Sequence, residues 1–287
     1  MKKSLLLCLT FIFSYNVHSS EQVCSKDMVS SNAFNNFILI QEQSFNDDIK
    51  KVYMHIESKD DYINNNSHVE FDGCGALLKL RNNRIIKTRN KDHVLVVQVN
   101  TVMDKNDVNW DYNMTFKMHT LEQGGSAKNL MIQEMKGKFL TGSDGKINKA
   151  EDTSNIFVGN NHEFGRSVTE FLIDDKGRLS ESKRVSTLKN DNVNTVYNYD
   201  SQNRLTQTSS GSTTEEFTYG NDNRELSSKK VQKFFTTETT TTTCNNWNKF
   251  GRCTNAKQNI SILINSNKGD GAHIYKHLAD VKYTYVY

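Results

Sequence analysis

The sequence predicts an all-β fold, an antiparallel sheet built of consecutive β-hairpins (a meander) with at most one or two short helices. Hairpin-like segments recur from Phe139 onward. Alternating polar and apolar positions return at roughly ten- to fifteen-residue spacing, without a sustained helical period. The 287 residues include no proline, whereas average usage predicts about 14, so Asn, Asp, Gly and Ser must build the turns. Whether the sheet stays open, curves or partly closes is left undecided.

The N-terminus predicts a secretory signal peptide over residues 1–19. Lys2 and Lys3 precede the apolar run 5–13, and Ser19 provides a small residue for cleavage. The alternative is a buried N-terminal helix. The run is too short to span a bilayer. Cys24 follows "EQV", which is not a lipobox, so we expect a periplasmic or secreted protein rather than one with a lipid anchor in the outer membrane.

The mature chain predicts one continuous domain with two regions, an N-terminal β region (20–127) and a hairpin-repeat region (128–287). Its 36 basic and 33 acidic residues are interspersed. Because no basic stripe is present to neutralise phosphates, nucleic acid is not an expected partner.

The N-terminal region predicts strands separated by polar turns. The segment "NAFNNFILIQEQSF" (32–45) suits either a strand or a short helix packed on the sheet. The segment "EQGGSAKNLMIQEMKGKF" (122–139) predicts one short helix. Strands are expected at residues 50–58, 68–82, 93–103 and 110–120.

The repeat region predicts hairpins with three- to five-residue loops. The segments "FLIDDKGRLSESK" (from Phe171), "YNYDSQNRLTQTS" (from Tyr197) and "FTYGNDNRELSSK" (from Phe217) share alternating strands around an Asp/Asn/Gly turn. A related copy begins at Phe139, and the chain ends in a closing strand, "DVKYTYVY". Each turn needs one residue in the left-handed region, for which the natural occupants are Gly145, Gly177, Asn203 and Asn223.

The cysteine count suits an oxidising compartment. Loss of Cys8 with the signal peptide leaves four cysteines, which allow three pairings. Cys244 and Cys253 flank the turn of a fifth hairpin, "CNNWNKFGRC", and we expect them to be directly opposed and bonded; two free thiols are the alternative. Cys24 and Cys74 would then pair by exclusion.

The hairpin "YNYDSQNRL" resembles the YD-repeat motif of RHS-type secreted proteins, whose repeats are hairpins wound into a long sheet. Across most of the mature chain, the sequence is also similar to the uncharacterised YnfC-type family of enterobacterial envelope lipoproteins. The shared features are the signal peptide, a Gly73-Cys74 element, the "DDxG" and aromatic hairpins, and a late hairpin with a cysteine on each strand. The resemblance implies an envelope location and no activity, and the lipobox cysteine of that family is missing here.

The sequence predicts no catalytic, cofactor-binding or metal-binding residue. His273 and His277 are spaced i,i+4, which on a helical turn would allow a metal site with Asp270 or Asp280; two exposed polar residues are the favoured interpretation. "GSDGKINKAED" resembles a calcium loop but lacks the alternating ligands, which favours a hairpin turn. No nucleophile motif is present in the sequence.

These observations favour a non-enzymatic, exported envelope protein that binds an envelope protein or glycan through a sheet face or an unpaired strand edge. The alternative is a secreted hydrolase whose site is built from loops. The 11 Tyr and 15 Phe suit either the buried face of the sheet, which is favoured, or an exposed row that stacks on sugars. The sequence does not predict the oligomeric state.

Overall fold

The computed structural model describes residues 24–40, 49–89, 92–122, 125, 127–189, 191–234, 236–265 and 272–287. The predicted signal peptide lies outside these residues. The described part of the chain forms one helix and sixteen strands. In chain order they are α1 (Lys26–Leu39), β1 (Lys51–Ser58), β2 (Ile63–Phe71), β3 (Leu77–Arg89), β4 (His93–Asn106), β5 (Asn109–Glu122), β6 (Ala127–Thr141), β7 (Ile147–Val158), β8 (Asn161–Ile173), β9 (Leu179–Ser186), β10 (Val193–Tyr199), β11 (Leu205–Ser210), β12 (Thr213–Tyr219), β13 (Glu225–Lys233), β14 (Thr236–Trp247), β15 (Cys253–Asn265) and β16 (Ala272–Val286).

The strands form a closed antiparallel barrel. Each strand pairs with the next along the chain, and β1 pairs with β16 in a register that places Val52 opposite Tyr285. This confirms the predicted all-β meander of hairpins. The expectation of an unpaired edge for strand addition is wrong, because every described strand has a partner on both sides.

The two faces of the barrel wall differ in chemistry, because successive side chains of a strand point alternately inward and outward. The inward face carries two hydrophobic clusters. One includes Val52 and Leu39 of α1, and the other is built around Ile56. The outward face is mixed: on β1 and β2 the Lys51 ammonium lies 3.2 Å from the carboxylate of Glu70, whereas the register partners Val168 and Val185 on β8 and β9 are exposed apolar side chains.

Helix α1 resolves the choice between helix and strand for the asparagine-rich segment. It begins after Ser25, whose hydroxyl caps the first turn. The side-chain amide of Asn36 donates to the carbonyl of Gly75 (2.7 Å) and its oxygen accepts from the backbone N–H of Leu77 (3.2 Å). Asn35 makes the equivalent pair of bonds with the turn between β6 and β7. The two buried asparagines therefore form hydrogen bonds with backbone N–H and C=O groups of the turns, which would otherwise need water as a partner.

The same helix extends across one end of the barrel. It contacts the β2–β3 turn through Asn32 and Asn36, while the ring of Phe37 lies 5.9 Å from that of Tyr197 on β10. Because β2 and β10 lie half a circuit apart in the sixteen-strand order, α1 lies across the mouth formed by these turns.

The hairpin turns have the predicted backbone conformation. Gly145 and Gly177 both have φ of 74°, and Asn203 and Asn223 have φ of 63° and 64°. In the turn after β10, one carboxylate oxygen of Asp200 accepts the backbone N–H groups of residues 202 and 204. The side chain therefore fixes the turn locally, and this is why its position could be recognised in the sequence.

The repeat motif couples each hairpin to the next. Arg204 is hydrogen-bonded to Asp200, donates to Asn223 of the following turn, and lies over the ring of Tyr219 at 4.8 Å. The Tyr219 hydroxyl donates to the carbonyl of Leu205 at 2.7 Å. The same contacts occur one hairpin earlier along the chain.

One local expectation is wrong, and one disfavoured alternative is excluded. Residues 127–139 form β6 rather than a helix, because the alternation of Met131, Gln133 and Met135 places these side chains on the inward face. Residues 272–280 lie in β16 rather than in a helical turn. In both segments, pairing with neighbouring strands prevails over the weak local helical preference.

Two disulfides close the pairs expected from the sequence. Cys24 is bonded to Cys74, which fixes the start of α1 to the β2–β3 turn, and Cys244 is bonded to Cys253. The expectation that the second pair is directly opposed is wrong: Cys244 lies opposite Ala256, and Cys253 opposite Trp247. Bulges in β14 shift the register, and the Cα atoms of the bonded pair are 5.8 Å apart.

Candidate functional site

A concave part of the outward wall lies over β14–β16 and β1–β4. Two cavities there, of about 850 and 580 Å³, share His55 and Lys282. We call the two together the outer groove. Its amide lobe is lined by outward side chains of β1–β4: Tyr53, Asn66, His68, Arg81, Asn83 and Asn100. Its charged lobe carries Glu57, Lys59, Asp61, Lys257 and Asp280.

The amide lobe is organised by strand register. Asn66 lies opposite Asn83, and Asn83 lies opposite Asn100, so three amides form a row across β2, β3 and β4. His55 continues this row on β1, and its Nδ1 lies 2.8 Å from Oδ1 of Asn66. Within the described part of the chain, the side chains of Asn83 and Asn100 make no hydrogen bond. Their donors and acceptors are therefore available to a ligand.

The aromatic element of the lobe is Tyr53. Its ring stacks on that of His68, its register partner, with centroids 4.5 Å apart and planes 5° from parallel. Tyr53 remains 41% exposed. The stacked pair presents a flat ring beside the row of amides.

The charged lobe contains engaged and unengaged groups. Asp61 binds Lys87 and Arg89, each at 2.9 Å, and the hydrogen bond from Lys87 holds the pKa of Asp61 below its ordinary value. Among the residues that the structure describes, Lys257 and Lys282 form no ion pair. The same holds for Lys59, so that within the described residues these three ammonium groups are the free cations of the groove.

The histidines singled out in the sequence lie elsewhere. His273 and His277 are on the inward face of β16; His277 Nδ1 lies 2.6 Å from Asp60 and its ring stacks on Tyr62. Asp280 cannot complete a site with them because it points outward, and Asp270 lies outside the described residues. In the described ranges, no group of three or more His, Cys, Asp or Glu side chains is close enough to hold a metal.

Sequence reasoning missed the outer groove. Its signal was present, since polar residues occupy the outward positions of residues 64–70 and 79–83. The row of amides depends on register, however, and a slip of one residue would turn every one of these side chains inward.

Comparisons with known proteins provide no family. No family model matches the chain, and no curated protein matches it. Among solved structures, it is similar to a porin-like protein from Bacteroides uniformis ATCC 8492, with 10% identity and a TM-score of 0.44, over 84% of this chain and 98% of that one. A porin-like protein from Bacteroides vulgatus ATCC 8482 has 13% identity and a TM-score of 0.32, over 83% and 98%. Likeness at this level supports no inference about binding. None of the described helices is long and apolar enough to cross a membrane.

Proposed function

We propose that this chain is an exported protein of the cell envelope that binds a glycan through the outer groove, without catalysis. The single observation that carries the proposal is the row of amides at Asn66, Asn83 and Asn100 beside the exposed ring of Tyr53. Amides supply both donors and acceptors for sugar hydroxyls, and an aromatic ring covers the apolar face of a sugar.

The dimensions of the groove suit an oligosaccharide. It extends over β16, β1, β2, β3 and β4, which amounts to four steps between neighbouring strands. At about 4.8 Å per step, the row spans roughly 19 Å. A ligand of several sugar units therefore fits better than a monosaccharide.

Export is supported by the two disulfides, since bonds of this kind persist in oxidising compartments and are rare in the cytosol. The signal peptide over residues 1–19 and the resemblance to the YnfC-type envelope family stay predictions that point to the same compartment.

The test is calorimetric titration of the mature, disulfide-bonded protein with soluble glycan fragments released from the cell wall. We expect Asn83→Ala combined with Asn100→Ala to weaken binding by about ten-fold or more, since each lost hydrogen bond contributes about 1 kcal/mol. Tyr53→Ala should weaken it further. A matched aromatic control is Phe164→Ala on the outward face of β8, which is 49% exposed and lies outside the groove.

Equal affinities for the groove variants and the Phe164→Ala control would refute the proposal. Capture of a protein that competes for the groove, with no glycan binding, would replace the glycan with a protein partner. Turnover of the glycan by the unmodified protein would contradict the absence of catalysis.

A further inference from the structure

The inward face of β4–β6 carries an apolar strip that meets the first hydrophobic cluster at its margin, where the Tyr112 hydroxyl lies 3.8 Å from the sulfur of Met135. Val99 lies opposite Phe116, and Met114 lies opposite Met135, so the side chains are contiguous across three strands. Each is half-buried, and none belongs to either hydrophobic cluster of the barrel. We call this set the luminal strip; it consists of Val99, Met114, Phe116, Met118, Met131 and Met135.

Two unpartnered polar atoms lie at the margin of the luminal strip. Asn65 on β2 and Arg84 on β3 are register partners on the inward face, and Arg84 lies opposite Val99 of the strip. The Oδ1 atom of Asn65 and the Nε atom of Arg84 are buried without a hydrogen-bond partner in the described structure. Asn65 is only 6% exposed. Buried polar groups are normally hydrogen-bonded. The Asn65 oxygen is therefore an acceptor without a donor, and the Arg84 Nε–H group is a donor without an acceptor.

The charge of Arg84 is also uncompensated at short range. No described carboxylate lies within ion-pair distance of it. The other inward arginine of this half of the barrel, Arg184, is already held by Asp152 and Asp191. Two acids lie in the same surroundings, Glu238 on β14 and Asp60: both act to raise the pKa of Tyr62, whereas Arg84 acts to lower it. A guanidinium that is partly buried without a direct counter-ion favours an anionic ligand.

We infer that the barrel interior binds a single-chain amphiphile with an anionic head group. The acyl chain lies along the luminal strip, Arg84 donates to the carboxylate or phosphate, and Asn65 accepts a hydrogen bond from a hydroxyl of the head group. The flexible side chains of Met114, Met118 and Met135 suit an apolar chain without a fixed shape. This site lies on the opposite side of the wall from the outer groove and does not depend on the proposed glycan binding.

The test is displacement of a fluorescent fatty-acid probe from the mature, disulfide-bonded protein by dodecanoate, dodecyl phosphate or dodecanol, each below its micellar concentration. We expect both anions to displace the probe at lower concentration than the alcohol. The relative potency of dodecanoate and dodecyl phosphate distinguishes a fatty-acid ligand from a monoacyl phosphate.

Arg84→Gln should weaken binding of the two anions by about ten-fold or more and leave the alcohol unchanged, because only the anions use the guanidinium. Met114→Gln, a polar replacement of similar size in the strip, should weaken all three. The matched control is Arg166→Gln, an exposed arginine on the outward face of β8 that lies over Phe164.

Three outcomes would overturn the inference. They are no displacement by any amphiphile, an equal loss for the anions and the alcohol in Arg84→Gln, and an equal effect of Arg166→Gln and Arg84→Gln. Circular dichroism of each variant, together with rescue of anion binding in Arg84→Lys, separates loss of the site from loss of the fold.

Discussion

Replacing Asp152 by Asn should destabilise the barrel strongly, because its carboxylate is a buried partner of a charged network. The side chain of Asp152 on β7 is only 1% exposed. It accepts two hydrogen bonds from Arg184 of β9, at 2.6 and 2.9 Å, and a third from the Tyr112 hydroxyl of β5 at 3.0 Å. Arg184 also contacts Asp191 and Ser167. The network therefore joins four strands, β5, β7, β8 and β9, and the β9–β10 loop inside the barrel.

The magnitude follows from what remains after the substitution. Removing one partner of a buried ion pair costs about 3–5 kcal/mol, because the other charge stays buried. Here Asp191 still lies 3.0 Å from Arg184 and is 32% exposed, which places the loss near the lower end, at about 3 kcal/mol. Burial alone would lower the pKa of Arg184, but hydrogen bonds to the two aspartates raise it above its ordinary value. Arg184 therefore stays protonated, and its buried charge remains after Asp152 is replaced.

Urea unfolding at neutral pH, followed by tryptophan fluorescence, measures this loss. Asp104→Asn is the matched control: Asp104 lies 2.6 Å from Arg81, but both side chains are more than 40% exposed, so less than about 1 kcal/mol should be lost. The double variant Asp152→Asn with Arg184→Met removes both charges and should recover part of the stability. A loss no larger than that of the control, or a double variant less stable than the single one, would refute the reasoning.

Three further predictions concern the turns, the disulfide and pH. Gly177→Ala should lower the free energy of unfolding by about 1–2 kcal/mol in the same assay, because φ at this position is 74°; an unchanged midpoint would contradict this. Serine at both Cys244 and Cys253 should cost about 2–3 kcal/mol, since the bond closes a short loop, and the cost should vanish when both proteins are compared under reducing conditions. Asp60 has a pKa below its ordinary value: burial acts to raise it, but hydrogen bonds, that from His277 foremost, outweigh this. The stability that ionised Asp60 contributes is therefore fully present above about pH 4 and is lost as the pH falls through the lower pKa of the folded state. Asp60→Asn should reduce the difference in the free energy of unfolding between pH 5 and pH 3. The same difference in both proteins would disprove the assignment.

The elements that the sequence predicted correctly are those fixed by local chemistry. A turn that needs one residue at positive φ and an Asx side chain to bond its own backbone carries both signals within five residues, as around Asp200 and Asn203. The misassigned segment 127–139 contains good helix formers, and only its neighbours β5 and β7 make it a strand.

Closure of the barrel and the outer groove are non-local, which is why they escaped prediction. β1 pairs with β16 more than two hundred residues away, and no local pattern encodes that contact. The amide row at Asn66, Asn83 and Asn100 exists only if two successive strand registers are both correct. The polar alternation of each strand was visible, but the alignment that makes a surface was not.

The last repeat shows why the motif can vary without loss of the fold. Its turn has Asn248 where the copies from Phe171 and Tyr197 have Asp174 and Asp200. The amide oxygen still accepts the backbone N–H groups of Phe250 and Arg252. The amide carries no charge, whereas the carboxylate of Asp200 forms an ion pair with Arg204 in its turn. The disulfide between Cys244 and Cys253 lies in this same hairpin. In the copies with Asp200 and Asn248, a side-chain oxygen therefore accepts the backbone N–H groups of the turn. The two strands are linked by an ion pair in the first copy and by a disulfide in the second. A sequence pattern that demands the carboxylate would miss this copy, although its backbone geometry is the same.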